Sequence, residues 1–274
     1  MTSLTSADPV TRARRTPPRR REVARRAAGL LGLAVALGVW QGTALALDTY
    51  VLPTFTASAS VVGELVTGPV LTEDILPSVG RVLIGFMLAA VLGIVLGLTL
   101  GSVRWLGDLC APLMNFMRSV PMPLLIPAAL VLFGLGGTMV IALIVSASTW
   151  PILLNSFDAV RRVEPLYVDT ARMCGLRGPT LFWKVLLPAT LPSIFAGLRV
   201  ALSISLVVLV VAEILGASSG IGYRIQNAAQ TFAITSTYAG VIVLACLGWL
   251  FDTTFLAVER RLLAWEQGMT GRAT

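Results

Sequence analysis

Glu213 and Arg199 stand inside long apolar runs, with Ser203 and Ser205 between them. An ionisable side chain at bilayer depth is strongly disfavoured unless it faces protein or a water-filled path, so each is a candidate for binding or conducting an ion. Each also has a plainer reading. Glu213 can hydrogen-bond to the glycine-rich turn at 216–222 that follows it. Arg199 can snorkel its long stem to the membrane edge. Ser203 and Ser205 can line a polar path for an anion, or simply tie one helix to another. Covalent chemistry is poorly provided for. There is no histidine, which removes imidazole bases, Ser-His-Asp relays and His-ligated zinc. Lys184 is the only lysine and lies between Trp183 and Val185. A phosphate-cradling loop needs Gly-Lys followed by Ser or Thr, so this chain has none. Cys110, Cys174 and Cys246 are far apart and form no CxxC pair, which reads as apolar packing rather than a metal site or a disulfide frame. No catalytic residue and no metal site is expected.

A second group of residues points to contact with a partner. Glu164 to Pro188 is a polar, basic island in apolar surroundings. Pro165 suits the first position of a helix, where its missing N–H is harmless. Leu166, Tyr167, Thr170, Ala171, Met173 and Cys174 then form an apolar arc, with Val168, Asp169 and Arg172 opposite. Gly175 suits the left-handed residue that ends a helix. Gly178-Pro179 restarts a second short helix through Phe182 and Trp183, and Leu187-Pro188 leads back to the apolar sequence. The product is a compact peg. Small Thr170 and Ala171 let a partner backbone approach, and Asp169 can pair with a basic group on it. The same pattern occurs in DNA-binding helix-turn-helices, but a position between two membrane spans argues against that use.

The elements that position these residues are membrane spans. Apolar residues make up 56% of the chain and charged ones 13%, against about 25% charged in a soluble domain. The fold class is all-α, a polytopic membrane protein with about six spans, at about 28–47, 78–101, 113–134, 137–157, 192–216 and 236–258. Gly85, Gly93, Gly97 and Gly101 on the second span read as a close-packing stripe. The net charge of +7 is concentrated in residues 1–27, which carry eight arginines against Asp8 and Glu22. That tail is expected to be disordered and to face lipid headgroups, not nucleic acid. The first span follows a basic stretch and ends near Ala44-Leu45-Ala46, as a cleaved signal peptide would; its length favours a retained span. The expected domains are a tail at 1–27, a transmembrane domain at 28–264 with a cytoplasmic loop at 158–190, and a C-terminal tail at 265–274. Arginines gather in the tail, at Arg104, at Arg161, Arg162, Arg172 and Arg177, and at Arg260 and Arg261. The positive-inside rule then places both termini in the cytoplasm of a cell-membrane protein.

The third span is irregular. Residues 105–118 alternate apolar and polar side chains at helical spacing, and Pro121, Pro123 and Pro127 follow. Three close prolines cannot make a plain helix, and broken helices survive in membranes only where protein or water covers the freed backbone. Arg118, Ser119, Pro121 and Pro123 are therefore either a gate or pathway lining, or an interfacial helix ending at a proline hinge.

Asp169-Thr170-Ala171, then Gly175, then Val185-Leu186-Leu187-Pro188 at the same intervals resembles the EAA motif of ABC importer permeases, Glu-Ala-Ala-x3-Gly-x9-Ile-x-Leu-Pro. Asp replaces Glu, Thr the first Ala, and Val the Ile. Val211 to Tyr223, Arg118 to Pro127 and Phe133 to Gly136 are similar to the permeases for sulfonates, taurine and nitrate. The resemblance implies a type I (MetI-like) importer permease fold. It implies that Leu166, Asp169, Thr170, Ala171, Gly175, Leu187 and Pro188 serve a loop coupled to an ATPase. It also implies two ATPase copies holding ATP and magnesium, an extracytoplasmic substrate-binding protein, and a homodimer of the permease in the lipid bilayer. This chain itself is expected to bind no cofactor. The competing reading is a self-sufficient secondary transporter of a small anion. It needs coupling carboxylates within spans and often an internal repeat; Glu213 is the one strong candidate, and no repeat is visible. A membrane-embedded enzyme lacks the paired carboxylates or metal cluster it would need.

Overall fold

The structure is a computed structural model that describes residues 18–264; the side chains of residues 18–26, Leu30, Arg118, Met122 and Pro123 lie outside that description. Two compact units emerge, dividing at Thr56. In the first, α1 (Pro18–Leu47) is a single long helix. The chain then turns so that the Trp40 indole donates to the Pro53 carbonyl at 3.1 Å and stacks edge-on against Phe55. The helix begins inside the arginine-rich stretch expected to be unstructured, which corrects that expectation for residues 18–27. Once the apolar run has nucleated a helix, each further residue costs little, and arginine is a good helix former. Residues 1–17 and 265–274, both expected tails, lie outside the described residues.

The second unit is a helical bundle. After α2 (Phe55–Thr67) come α3 (Leu76–Ser102), α4 (Arg104–Ser119), α5 (Ile126–Phe133), α6 (Gly137–Arg161), α7 (Pro165–Met173), α8 (Gly178–Leu181), α9 (Leu187–Gly216), α10 (Ile221–Gln230) and α11 (Ile234–Leu262). Among the described residues no strand occurs, and five helical runs are long and apolar enough to cross a membrane: Ala27–Leu47, Leu71–Ser102, Gly137–Arg161, Gly178–Gly216 and Ile234–Leu262. All five match predicted spans closely or enclose them. The predicted third span, 113–134, does not form one helix. It is split into α4, a bend at extended Val120, a 3-10 turn at Met122–Leu125, and α5.

Two spans are longer than the prolines suggested. Single π-helical turns at Leu71–Ile75 and Phe182–Leu186 immediately precede Leu76-Pro77 and Leu187-Pro188. A proline clashes with the carbonyl four residues back and donates nothing to it. A wider turn just upstream absorbs both defects. The helix therefore runs through each proline, and α8 does not end as a separate short helix but continues into α9.

The core lies where α3, α6 and α9 meet. Val82, Met139, Val140, Leu143, Ile144 and Leu209 pack in one layer, and Phe86, Ala89, Ile152, Ile194, Phe195 and Ala201 in the next. The glycine stripe does what its spacing predicts. A Cβ at Gly93 would stand 2.7 Å from Ile152 Cβ, and one at Gly97 would stand 2.6 Å from the Leu153 carbonyl. Both lie well inside van der Waals contact, so α3 and α6 approach closely only because these positions lack side chains.

Candidate functional site

At one end of the bundle, α7 projects between α6 and α9. Its end is closed by Gly175 at φ +84°, where the Leu176 N–H donates to the Ala171 carbonyl and the Gly175 N–H to the Arg172 carbonyl, each at 3.0 Å. This double closure is the Schellman arrangement, and it places Gly175 as the sequence predicts. Leu166, Tyr167 and Met173 are 67%, 59% and 81% exposed, an unusual density of uncovered apolar surface on a nine-residue helix. Thr170 is exposed beside them, while Ala171 is buried. Ala171 thus leaves the predicted docking arc and joins the packed side with half-buried Val168. On that side α7 lies against the chain's own α8 and the π turn that follows. Asp169 pairs with Arg172 of its own helix at 3.5 Å, both well exposed, a contact that contributes little and leaves the carboxylate available. Half-buried Leu187 packs against the α3–α9 core, and Pro188 stands beside it at the start of α9. Behind α7 opens a cleft of about 830 Å³, lined by Arg104, Arg161, Arg162, Glu164 and Asp169 among others.

A groove of about 580 Å³ runs between α4, α6 and α9, lined by Met117, Val120, Trp150, Asn155, Ser203 and Val207 among others. The broken third span forms one wall. Its α4 is anchored by Arg161, which donates to Asp108 at 2.7 Å and sits 4.4 Å over the Phe157 ring. Ser203 is exposed in the groove. Ser205 is not: it is fully buried, 2.8 Å from Ser148 Oγ, and donates to the Ala201 carbonyl at 2.8 Å. Two residues along a helix is a turn of about 200°, so the two serines face opposite ways, and Ser205 is removed from the candidate path. Ser119 and Pro121 are exposed at the break, with Ser119 Oγ donating to the Asn115 carbonyl at 3.2 Å. The side chains of Arg118 and Pro123 lie outside the described residues. Sequence reasoning missed Met117, Trp150 and Asn155. Pro151 and Asn155, one turn apart inside α6, were the available signal; the Asn155 amide donates to the Pro151 carbonyl at 2.8 Å.

Glu213 belongs to neither place. It is fully buried at the end of α9 remote from α7. It accepts from Ser78 Oγ at 2.7 Å, from Arg81 at 2.7 Å and from the Gly222 N–H at 2.9 Å. Arg81 also donates to the Ser219 carbonyl, and Asp74 accepts from the Gly220 N–H at 2.8 Å and from Arg224 at 3.0 Å. The turn entering α10 offers consecutive N–H groups, a natural anion cradle. Here the chain's own carboxylates and Ser78 fill it. Gly220 is at φ +121°, and a Cβ there would collide with the Glu213 carboxyl. Glu213 therefore makes the structural contact to the glycine-rich turn that was one of its two readings, and it is removed from the candidate path. Asp74, Ser78 and Arg81 were missed, though their spacing puts them on one helical face.

Among the described residues no group of three or more potential metal ligands is present. The geometry offers a projecting contact surface, an open groove and a rigid lock.

The model of the family described as "Binding-protein-dependent transport system inner membrane component" matches residues 89–264. A putative aliphatic sulfonates transport permease protein of Bacillus subtilis is 33% identical over 245 residues, covering 89% of this chain and 89% of that protein. The bicarbonate transport system permease protein of Synechococcus elongatus is 35% identical over 191 residues, covering 69% and 66%. An inward-facing structure of the MetNI methionine ABC transporter superposes with a TM-score of 0.59 at 18% identity, covering 69% of this chain and 94% of that one. That last likeness concerns the fold alone.

Proposed function

Because this chain belongs to the binding-protein-dependent transport inner membrane component family, and is thus a multi-pass ABC importer permease rather than an enzyme, we propose that it imports a small organic sulfonate, taurine or nitrate and draws its energy from a separate ATPase through α7. The observation that carries this reading is α7 itself: a short helix fixed at both ends, projecting between α6 and α9, with Leu166, Tyr167 and Met173 uncovered. Apolar side chains held out on a rigid peg stabilise the protein only when a partner covers them. The ATPase supplies that cover. Closure of its ATP-bound dimer pushes α7, and the continuous Gly178–Gly216 helix carries the displacement along the length of the bundle.

Charge supports the orientation. Basic residues flank the end of α6 and the end of α11, at Arg161, Arg162, Arg260 and Arg261. With α4 and α5 together as a broken sixth crossing, these ends and α7 fall on one side, which the positive-inside rule makes cytoplasmic. The groove between α4, α6 and α9 is open along one side, so a second copy completes the pathway, and a binding protein delivers cargo at the end that carries α10. A relative named for aliphatic sulfonates and another named for bicarbonate support a small anion as cargo. The secondary-transporter reading loses its coupling carboxylate, since Glu213 is saturated with donors.

Reconstitution tests the proposal. Vesicles containing this chain, its co-purifying ATPase and the binding protein should accumulate labelled sulfonate only with ATP inside the face that carries α7. Accumulation by this chain alone, driven by an ion gradient, would end the reading.

A further inference from the structure

Among the described residues two ion pairs join candidate membrane spans, and they differ in kind. Arg81 and Glu213 meet at 2.7 Å with side chains 12% and 0% exposed, and both are saturated by further hydrogen bonds. Arg199 of α9 and Asp252 of α11 meet at 3.3 Å with side chains 48% and 47% exposed. That distance is long for a charge-assisted contact, and it occupies one of the five donors of the guanidinium. Arg199 lies seventeen residues before Gly216, about 25 Å along the helix, within the roughly 30 Å of a hydrocarbon core. A charge open to lipid at that depth is strongly disfavoured, so the open side of the pair faces polar surroundings.

The neighbours show which side that is. Ser203 follows Arg199 by one helical turn and lines the groove. Among the described residues its hydroxyl makes one long contact, to the Arg199 carbonyl at 3.4 Å. Two turns further along α9, Leu206 lies next to α11, where a Cβ built at Gly248 would stand 3.7 Å from its side chain. Arg199 therefore stands at the border between the groove and α11, with Asp252 on the α11 side.

We propose that Arg199 is an anion-binding residue at the α7 end of the groove, taking a compact oxyanion such as a sulfonate, nitrate or bicarbonate group with Ser203 as a second donor. Asp252 is its resting counter-ion. The planar donor fork of a guanidinium matches an oxyanion in two contacts, and the loose pairing with Asp252 leaves that fork free to turn. A carboxylate that competes with the anion also keeps the site weak, which a conducting path requires. This assignment rests on the reading of the chain as an importer of small anions.

The test uses the purified full-length chain and methanesulfonate as the probe, in thermal unfolding at constant ionic strength with gluconate as the balancing anion. Wild type should gain a saturable rise in Tm with methanesulfonate. Arg199→Gln should abolish the rise, and Arg199→Lys should weaken it. Asp252→Asn removes a like charge next to the bound anion and should lower the apparent Kd about tenfold. A purely structural ion pair would show no anion dependence, and both neutralised variants would merely unfold earlier. Equal rises in wild type and Arg199→Gln would overturn the site. Should Arg199→Gln fail to fold, an unchanged Kd in both Arg199→Lys and Asp252→Asn would overturn it instead. An Arg199-dependent rise without ATP-driven sulfonate uptake by the complex would sink the importer reading and leave the site standing. Uptake indifferent to Arg199 would do the reverse.

Discussion

Glu213 and Gly175 illustrate two ways in which one residue can matter without touching cargo. Glu213→Ala would leave the Arg81 guanidinium, 12% exposed, without its carboxylate. Breaking a buried pair from one side costs about 3–5 kcal/mol, whereas replacing both partners by apolar groups of similar size is often neutral. Thermal unfolding in detergent should therefore show a large loss for Glu213→Ala and substantial recovery in the double variant Arg81→Met with Glu213→Met. Equal losses in the two proteins would mean that the pair is not the lock described above. At Gly175 the argument is conformational. Nothing lies within 4 Å of a Cβ built there, so a side chain has room, but φ is +84°. A β-branched residue pays about 1–2 kcal/mol in that region, while asparagine tolerates it. Gly175→Val should leave insertion intact and uncouple ATP turnover from uptake, and Gly175→Asn should stay close to wild type. Parallel measurement of ATPase rate and uptake in the same vesicles reads the difference, and coupled transport by the valine variant would refute the role of α7.

Close packing of α3 on α6 belongs to the next scale. Gly97 faces Leu153 and Ser156 with no space for a methyl group, so Gly97→Val must force the helices apart. Overpacking of this kind costs about 1–3 kcal/mol. A lowered Tm is expected for Gly97→Val, and none for Gly38→Val on α1, where a Cβ meets nothing. This stripe was legible in the sequence because small residues at helical intervals have one economical use in a membrane. The end of α7 was legible for a similar reason, since a glycine after an amphipathic turn has a local geometric meaning. Other features were not. Ser203 and Ser205 are chemically identical, and only the direction in which α9 packs decides which one sees the groove. The partners of Glu213 lie 132 and 135 residues away in sequence, a distance that no local pattern spans. Prolines were half legible. They foretold the break between α4 and α5, but the π turns before Pro77 and Pro188 extend two helices upstream of the predicted spans.

A single copy makes a poor pathway. The groove between α4, α6 and α9 has walls but no cover, and along the broken span Leu124, Val131 and Leu132 are 72%, 85% and 77% exposed. Lipid can cover apolar residues, yet it cannot serve Ser203 or Asn155, so the groove side calls for protein or water. A symmetric pair would meet that need with one self-complementary surface, and it would present two α7 pegs to the proposed ATPase. The consequence is quantitative. If transport needs both pegs, mixing wild type with inserted but uncoupled Gly175→Val copies removes every assembly containing a defective copy. Activity then falls with the square of the wild-type fraction, to about one quarter at equal mixing of a two-fold assembly. A chain that works alone would instead keep activity in proportion to its wild-type share. Co-expression at graded ratios, with each copy carrying a different tag to measure the ratio in the membrane, distinguishes the curves. A straight line through the mixing series would dissolve the paired pathway, and with it the reason for two pegs.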